Sequence, residues 1–287
     1  MAQGGAAPPT EAMRGAKGVS AVLAIVIAVI TFVAGFGVGS YLFPQTPAPG
    51  PEKEVLLLGT NTPFPPFESR NTTSGNLEGF DIDLIQTMVT RAGYAYEWRD
   101  FRDFTALLAA TAAEGVDIAI GAITMNGATG TLRNQTLDFT DPYYEADQGV
   151  LKLTADATDY CPTANDCTAT DLNDAAYTVA VQDITTSLYW AEAELPDVTL
   201  VVLPSVSQVL QALSAGNVDF VVIDHPAAVG IAGANPAFTV EGTIQTDELY
   251  GFAVPNNDPK NIVEKLNTAL AAIRTDGTYD TLVAKWF

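Results

Sequence analysis

The sequence predicts an α/β protein with two lobes of like architecture, preceded by one apolar membrane helix. Three observations carry this. Strand and helix patterns alternate from Glu54 onward; the second half repeats the plan of the first; residues 18–43 form an uncharged apolar run of 26 residues. A chain of 287 residues with 48% apolar side chains suits two such lobes and a sizeable core.

The first 17 residues are small and polar, with Arg14 and Lys17 as their basic side chains. A helix rising ~1.5 Å per residue crosses a ~30 Å hydrocarbon core in about 20 residues, so 18–43 is long enough. A cleaved signal usually has an apolar region of about 7–15 residues and an A-x-A-like site. An uncleaved anchor is the expectation here. The basic residues precede it, which keeps tail 1–17 in the cytoplasm and puts the rest on the extracytoplasmic side of the cell membrane. Residues 44–54 hold four prolines and read as a stalk.

In the outer region, 55–60 (VLLLGT) is a short apolar run, read as a buried parallel strand. Residues 81–92 place Ile82, Ile85, Met88 and Val89 at helical spacing, with Asp81 as N-cap and Gly93 as stop. A strand at 94–98, a helix at 104–113 and a strand at 116–123 follow. The pattern then restarts: strand 177–182, helix 186–194, strand 198–203, helix 206–215, strand 218–224. Both halves end on an apolar strand opened by Val-Asp (Val116-Asp117 and Val218-Asp219). Such alternation predicts mostly parallel sheets, with ligands beyond the carboxyl ends of strands and between the lobes.

Composition removes several function classes. With 34 acidic and 13 basic side chains, the net charge of −21 opposes nucleic acid. Two cysteines exclude a four-cysteine zinc site, and the single histidine, His225, excludes a His-rich metal site and argues against a Ser-His-Asp triad. No metal or cofactor is expected. Cys161 and Cys167 lie six residues apart in a polar stretch, where an extracytoplasmic setting favours a local disulfide.

The strand ends supply candidate site residues. Strand 55–60 runs into GTNTPFPPFES, placing Asn61 and Phe64 at a carboxyl end. Strand 116–123 ends at Thr124, followed by a glycine-containing loop and Arg133. An arginine there either pairs with a surface carboxylate or offers a planar fork to a ligand carboxylate. Asp224 closes strand 218–224 and either caps the next helix, with Pro226 in its first turn, or accepts an ammonium.

The stretches GNLEGFDIDL (75–84), VDIAIGAIT (116–124), RNQTLDFTDPYY (133–144), GNVDFVVID (216–224) and DGTYDTLVAKWF (276–287) occur together in one order. In these the chain resembles the family 3 extracellular solute-binding proteins that serve polar amino-acid ABC importers, over nearly all of 54–287. The resemblance implies a type II-like Venus-flytrap fold, with lobe one at 55–145 and 250–287 and lobe two at 146–249. Arg133 would then take the ligand carboxylate, and Asp224 the α-ammonium. Thr124, Thr186 and Ser187 would donate hydrogen bonds, Gly121 and Ala122 would line the site with backbone, and Phe64 and Phe104 would sandwich the ligand. Hinge crossovers would fall near 145–151 and 244–250.

The loop between Thr124 and Arg133 is longer than usual for that family, and Ile184 stands where a glycine commonly precedes the threonine pair. Asn61 falls where many members carry an acid, which argues against lysine or arginine. The absence of a second cation argues against aspartate and glutamate, so the expected ligand is a neutral polar amino acid. The expected partners are that free amino acid, an ABC permease with its ATPase, and the membrane, with the protein acting as a monomer and not as an enzyme. The alternatives are a membrane-tethered ligand sensor and a cyclohexadienyl dehydratase-like enzyme, for which Asp224 or Glu145 would supply the acid or base.

Overall fold

The computed structural model describes residues 52–163 and 166–287. The expected membrane segment, the tail and most of the stalk lie outside these residues. Among the described residues no helix is long and apolar enough to cross a membrane.

The chain opens with β1 (Val55–Thr60), a proline-rich turn, and the ribbon β2 (Ser69–Arg70) and β3 (Leu77–Glu78). Next come α1 (Phe80–Arg91), β4 (Ala95–Asp100), α2 (Phe104–Ala112) and β5 (Ile118–Ile120). Then α3 (Gly127–Arg133) and β6 (Leu137–Phe139) precede the long β7 (Tyr144–Leu153). After α4 (Ala169–Leu172) come β8 (Thr178–Gln182), α5 (Thr186–Glu194), β9 (Thr199–Leu203) and α6 (Val206–Ser214). They lead to β10 (Phe220–Asp224), α7 (His225–Ala234) and β11 (Phe238–Tyr250). The chain closes with β12 (Ala253–Pro255), α8 (Val263–Thr275) and α9 (Thr278–Trp286).

Two five-stranded sheets result, ordered β4-β1-β5-β12-β6 and β11-β7-β10-β8-β9. Each has a parallel core of three strands, β4-β1-β5 in one and β10-β8-β9 in the other. The other strands add antiparallel pairings: β12 to β5 and β6, and β7 to β10 and β11. The sheets are therefore mixed, where the sequence predicted mostly parallel ones. The chain leaves the first sheet after β6 and returns to it at β12, and the strands at these passages run against their neighbours. Every residue of β10 (FVVID) is buried, because helices cover a parallel sheet on both faces.

The first lobe packs Leu56, Leu58, Phe80, Ile85, Tyr143 and Phe252 against Ile262, Leu266 and Leu270 near and within α8. In the second lobe Val150, Val179, Val181, Phe220 and Val222 form one face of the core. Cys161 and Cys167 are joined in a disulfide and buried on that face.

Local expectations met two corrections. Asp81 does not cap α1; Gly79 holds the N-cap position. Asp81 is fully buried and accepts from Ala122 N (2.9 Å) and from Tyr143 OH (2.5 Å), tying α1 to the turn after β5. The loop between Thr124 and Arg133 is in fact the short helix α3, which carries Arg133 in its last turn. Gly130 allows this: a Cβ there would stand 2.2 Å from the Met125 carbonyl. Overpacking of this kind costs about 1–3 kcal/mol. Gly130→Ala should lower stability by that amount in urea unfolding; an unchanged midpoint would show that α3 can shift without cost.

Candidate functional site

The two lobes face each other across a cleft of about 580 Å3, counting solvent at its mouth. All ten residues named from the sequence line it: Asn61, Phe64, Phe104, Gly121, Ala122, Thr124, Arg133, Thr186, Ser187 and Asp224. Glu145, considered above as an acid or base, is exposed elsewhere, and half-buried His225 lies beside it.

Each residue arrives from an element end. Phe104 is the first residue of α2, whose N-cap Asp103 accepts from Ala106 N at 2.7 Å. Thr186 and Ser187 open α5, capped by the Thr185 hydroxyl (3.3 Å from Leu188 N), so the first N–H groups of that helix are free to face an anion. Ile184, just before this turn, has φ 52°. The turn keeps the left-handed geometry that glycine adopts easily, and a β-branched residue there costs about 1–3 kcal/mol.

Arg133 is buried at 8% exposure, deeper than an open cleft side chain. Its Nη1 donates to Thr124 O (2.8 Å) and its Nη2 crosses the cleft to Ile184 O (3.3 Å). The guanidinium carbon lies 5.3 Å from the Phe104 ring centroid. Its Nε has no partner. Burial pulls its pKa down to about 10, with Glu248 and Asp224 opposing, so it remains a cation at neutral pH. It therefore offers a fixed fork with an unused donor.

Asp224 occupies the N-cap position of α7, but its carboxylate makes no cap bond. It accepts instead from Gln148 Nε2 (2.7 Å) and from Tyr250 OH. The same Gln148 Nε2 reaches Glu248 Oε1 at 2.6 Å, while Gln148 Oε1 accepts from Ser187 Oγ at 2.6 Å. Glu248 Oε2 accepts from Thr124 Oγ1 (2.5 Å), and Thr186 Oγ1 meets Thr124 Oγ1 at 3.0 Å. One buried network thus spans both lobes and the strands between them.

Gln148, Glu248 and Tyr250 were not legible from the sequence, because they sit on β7 and β11, whose pairing is long-range. Glu68 was also missed. It is 2% exposed, lines the cleft, and its Oε2 has no partner. The available signal was an acid placed directly after the apolar loop FPPF.

Lobe contact is close. Phe64, from the first lobe, packs against both the first-lobe core and the cluster of Leu151, Val221, Ala227 and Ile231 in the second. A Cβ on Gly230 of α7 would stand 2.8 Å from Pro65 O.

A closed cleft between two α/β lobes, with a buried cation and carboxylates converging on it, defines a solute receptor. Residues 56–287 match the model of the bacterial extracellular solute-binding proteins, family 3, and the chain belongs to that family. A probable histidine-binding protein of Neisseria gonorrhoeae is 29% identical over 246 residues, covering 84% of this chain and 85% of that one. The ABC transporter glutamine-binding protein of Bacillus subtilis is 25% identical over 235 residues, covering 82% of each. A solved structure of an ancestral arginine-binding protein bound to arginine superposes with a TM-score of 0.71 at 30% identity, over 82% of this chain and 99% of that one. These relatives are binding proteins, not enzymes.

Two outcomes follow from this geometry. Gly230→Val should hold the lobes apart, seen as a larger radius of gyration in small-angle scattering; an unchanged profile would show that the Pro65 loop yields. Burial raises Asp81 and Asp224 to about 7 each, from unfolded values near 4. The native state therefore binds more protons than the unfolded chain between about pH 4 and pH 7, and stability falls as pH rises through that window. Asp224→Asn should flatten that part of the Tm-versus-pH profile, and an identical slope in variant and parent would contradict the assignment.

Proposed function

We propose that this chain is a substrate-binding protein that captures a free amino acid in the interlobe cleft and delivers it to an ABC importer. The observation that carries this reading is the pairing of Arg133 and Asp224 across one buried cleft. A zwitterion needs a cationic fork at one end and a carboxylate at the other, and it meets both only when the lobes are together. Ligand binding then favours the closed state by its differential affinity for it. In this reading the ligand carboxylate takes the free Arg133 Nε and the first N–H groups of α5. The ammonium joins Asp224 beside Gln148, and Phe64 and Phe104 flank the aliphatic part.

The lobes would be 55–145 with 250–287, and 146–249, moving about crossovers near 145–151 and 244–250. The segment 18–43 would tether the domain to the outer face of the cell membrane, where a permease and its ATPase are the partners. The neutral side chain expected for the ligand rests on Asn61 and on the absence of a second cation in the cleft. The curated relatives described above are named as binding proteins, which does not favour a sensor or a dehydratase.

Arg133→Gln tests the reading. Truncating one partner of a buried charge pair costs about 2–5 kcal/mol, so calorimetry with the amino acid that binds the parent should show affinity lower by roughly 30-fold or more. Unchanged affinity would remove Arg133 from the site.

A further inference from the structure

We propose that Glu68 is the specificity-determining residue of the cleft, and that its carboxylate receives a cationic group on the ligand side chain. The ligand is then a cationic amino acid rather than a neutral one. This inference rests on the reading above, that the cleft holds an α-amino acid.

Among the described residues lining the cleft, Arg133 is the one basic side chain, while Glu68 and Asp224 are carboxylates. An α-amino acid uses its carboxylate on Arg133 and its ammonium on Asp224. Glu68 is left over. It is 98% removed from solvent by its 2% exposure, and Oε2 has no hydrogen-bond donor. An isolated buried carboxylate is among the costliest groups a protein can hold. Burial, with the charges of Asp81, Asp224 and Asp100 nearby, pushes its pKa well above the ordinary carboxylate range. A ligand cation would remove that penalty.

Position agrees with charge. A Cβ placed on Gly121 would lie 3.4 Å from Glu68 Oε1 and 3.9 Å from Phe104 Cε2. Glu68 therefore stands on the cleft wall beside the aromatic that flanks the ligand chain. Aromatic faces favour a passing cation as well. The backbone holds Glu68 there: Phe64 N donates to Glu68 O at 2.6 Å, and Glu68 N donates to Phe64 O at 3.1 Å. Asn61 does not compete for this role as a donor, since its Nδ2 is committed to Phe101 O at 2.8 Å.

The rival chemistry is a neutral Glu68 whose O–H donates to a side-chain carbonyl. Isosteric ligand pairs separate the two. Calorimetry on the full-length chain would compare L-arginine with L-citrulline and L-lysine with L-norleucine, alongside L-histidine and L-glutamine. The expected result is that a cationic member binds at least 100-fold tighter than its neutral isostere. Glu68→Gln should reduce that ratio to about tenfold or less by weakening the cation, with the neutral isostere changed little. A structural role for Glu68 would weaken both members equally and would overturn the assignment. Neutral members binding as tightly as cationic ones, or glutamine alone binding, would overturn the inference and leave the amino-acid reading intact. Binding of no free amino acid would overturn both. The comparison on the parent chain decides the ligand class even if Glu68→Gln fails to fold.

Discussion

The cleft holds charges that the protein alone does not balance. Arg133 is buried with its Nε unpaired, and Glu68 is buried with its Oε2 unpaired. Both positions are shielded from water. A closed cleft without a ligand therefore carries an electrostatic penalty, and an open one regains water at these groups. Ligand and closure are coupled through this imbalance more than through any single contact.

The scaffold around the cleft serves to keep these charges where they are. Gln148 is the central piece. Its one amide nitrogen holds Asp224 and Glu248 apart at 2.7 and 2.6 Å, and its oxygen fixes Ser187. A neutral amide between two carboxylates satisfies both without cancelling either, so negative potential stays available to a ligand. On the first-lobe side, Asp81 plays the corresponding part by gripping the turn at Ala122, whose φ of 48° is held by that bond and its surroundings. Gln148 from β7 and Glu248 from β11 meet because those strands run side by side in the second sheet.

Departures from the pattern of the resembled family are absorbed locally. The residues between Thr124 and Arg133 wind into α3 instead of looping outward, and Gly130 lets that helix lie on Met125. Ile184 holds a left-handed backbone, and its carbonyl accepts from Arg133 across the cleft. Both places bear on Arg133: α3 carries it, and the Ile184 carbonyl accepts from its Nη2.

Much of the architecture was legible in local pattern. Helix 186–194 was read with its observed bounds, and the strands of both parallel cores were located, because burial on both faces leaves a run such as FVVID that periodicity detects. The site residues at strand ends were legible for the same reason, since their place depends on where a short apolar run stops. What local pattern could not supply was β7, β11 and the antiparallel halves of the sheets: YEADQGVLKL carries polar residues whose partners lie about 100 residues away in the chain. Burial is likewise a long-range property. Asp81 looks like a helix cap in the sequence and Glu68 like a surface acid, and only the packing of the first lobe turns them into desolvated carboxylates. Local pattern sets the alternation of elements and the residue types at their ends; which of those charges lose water depends on what folds over them.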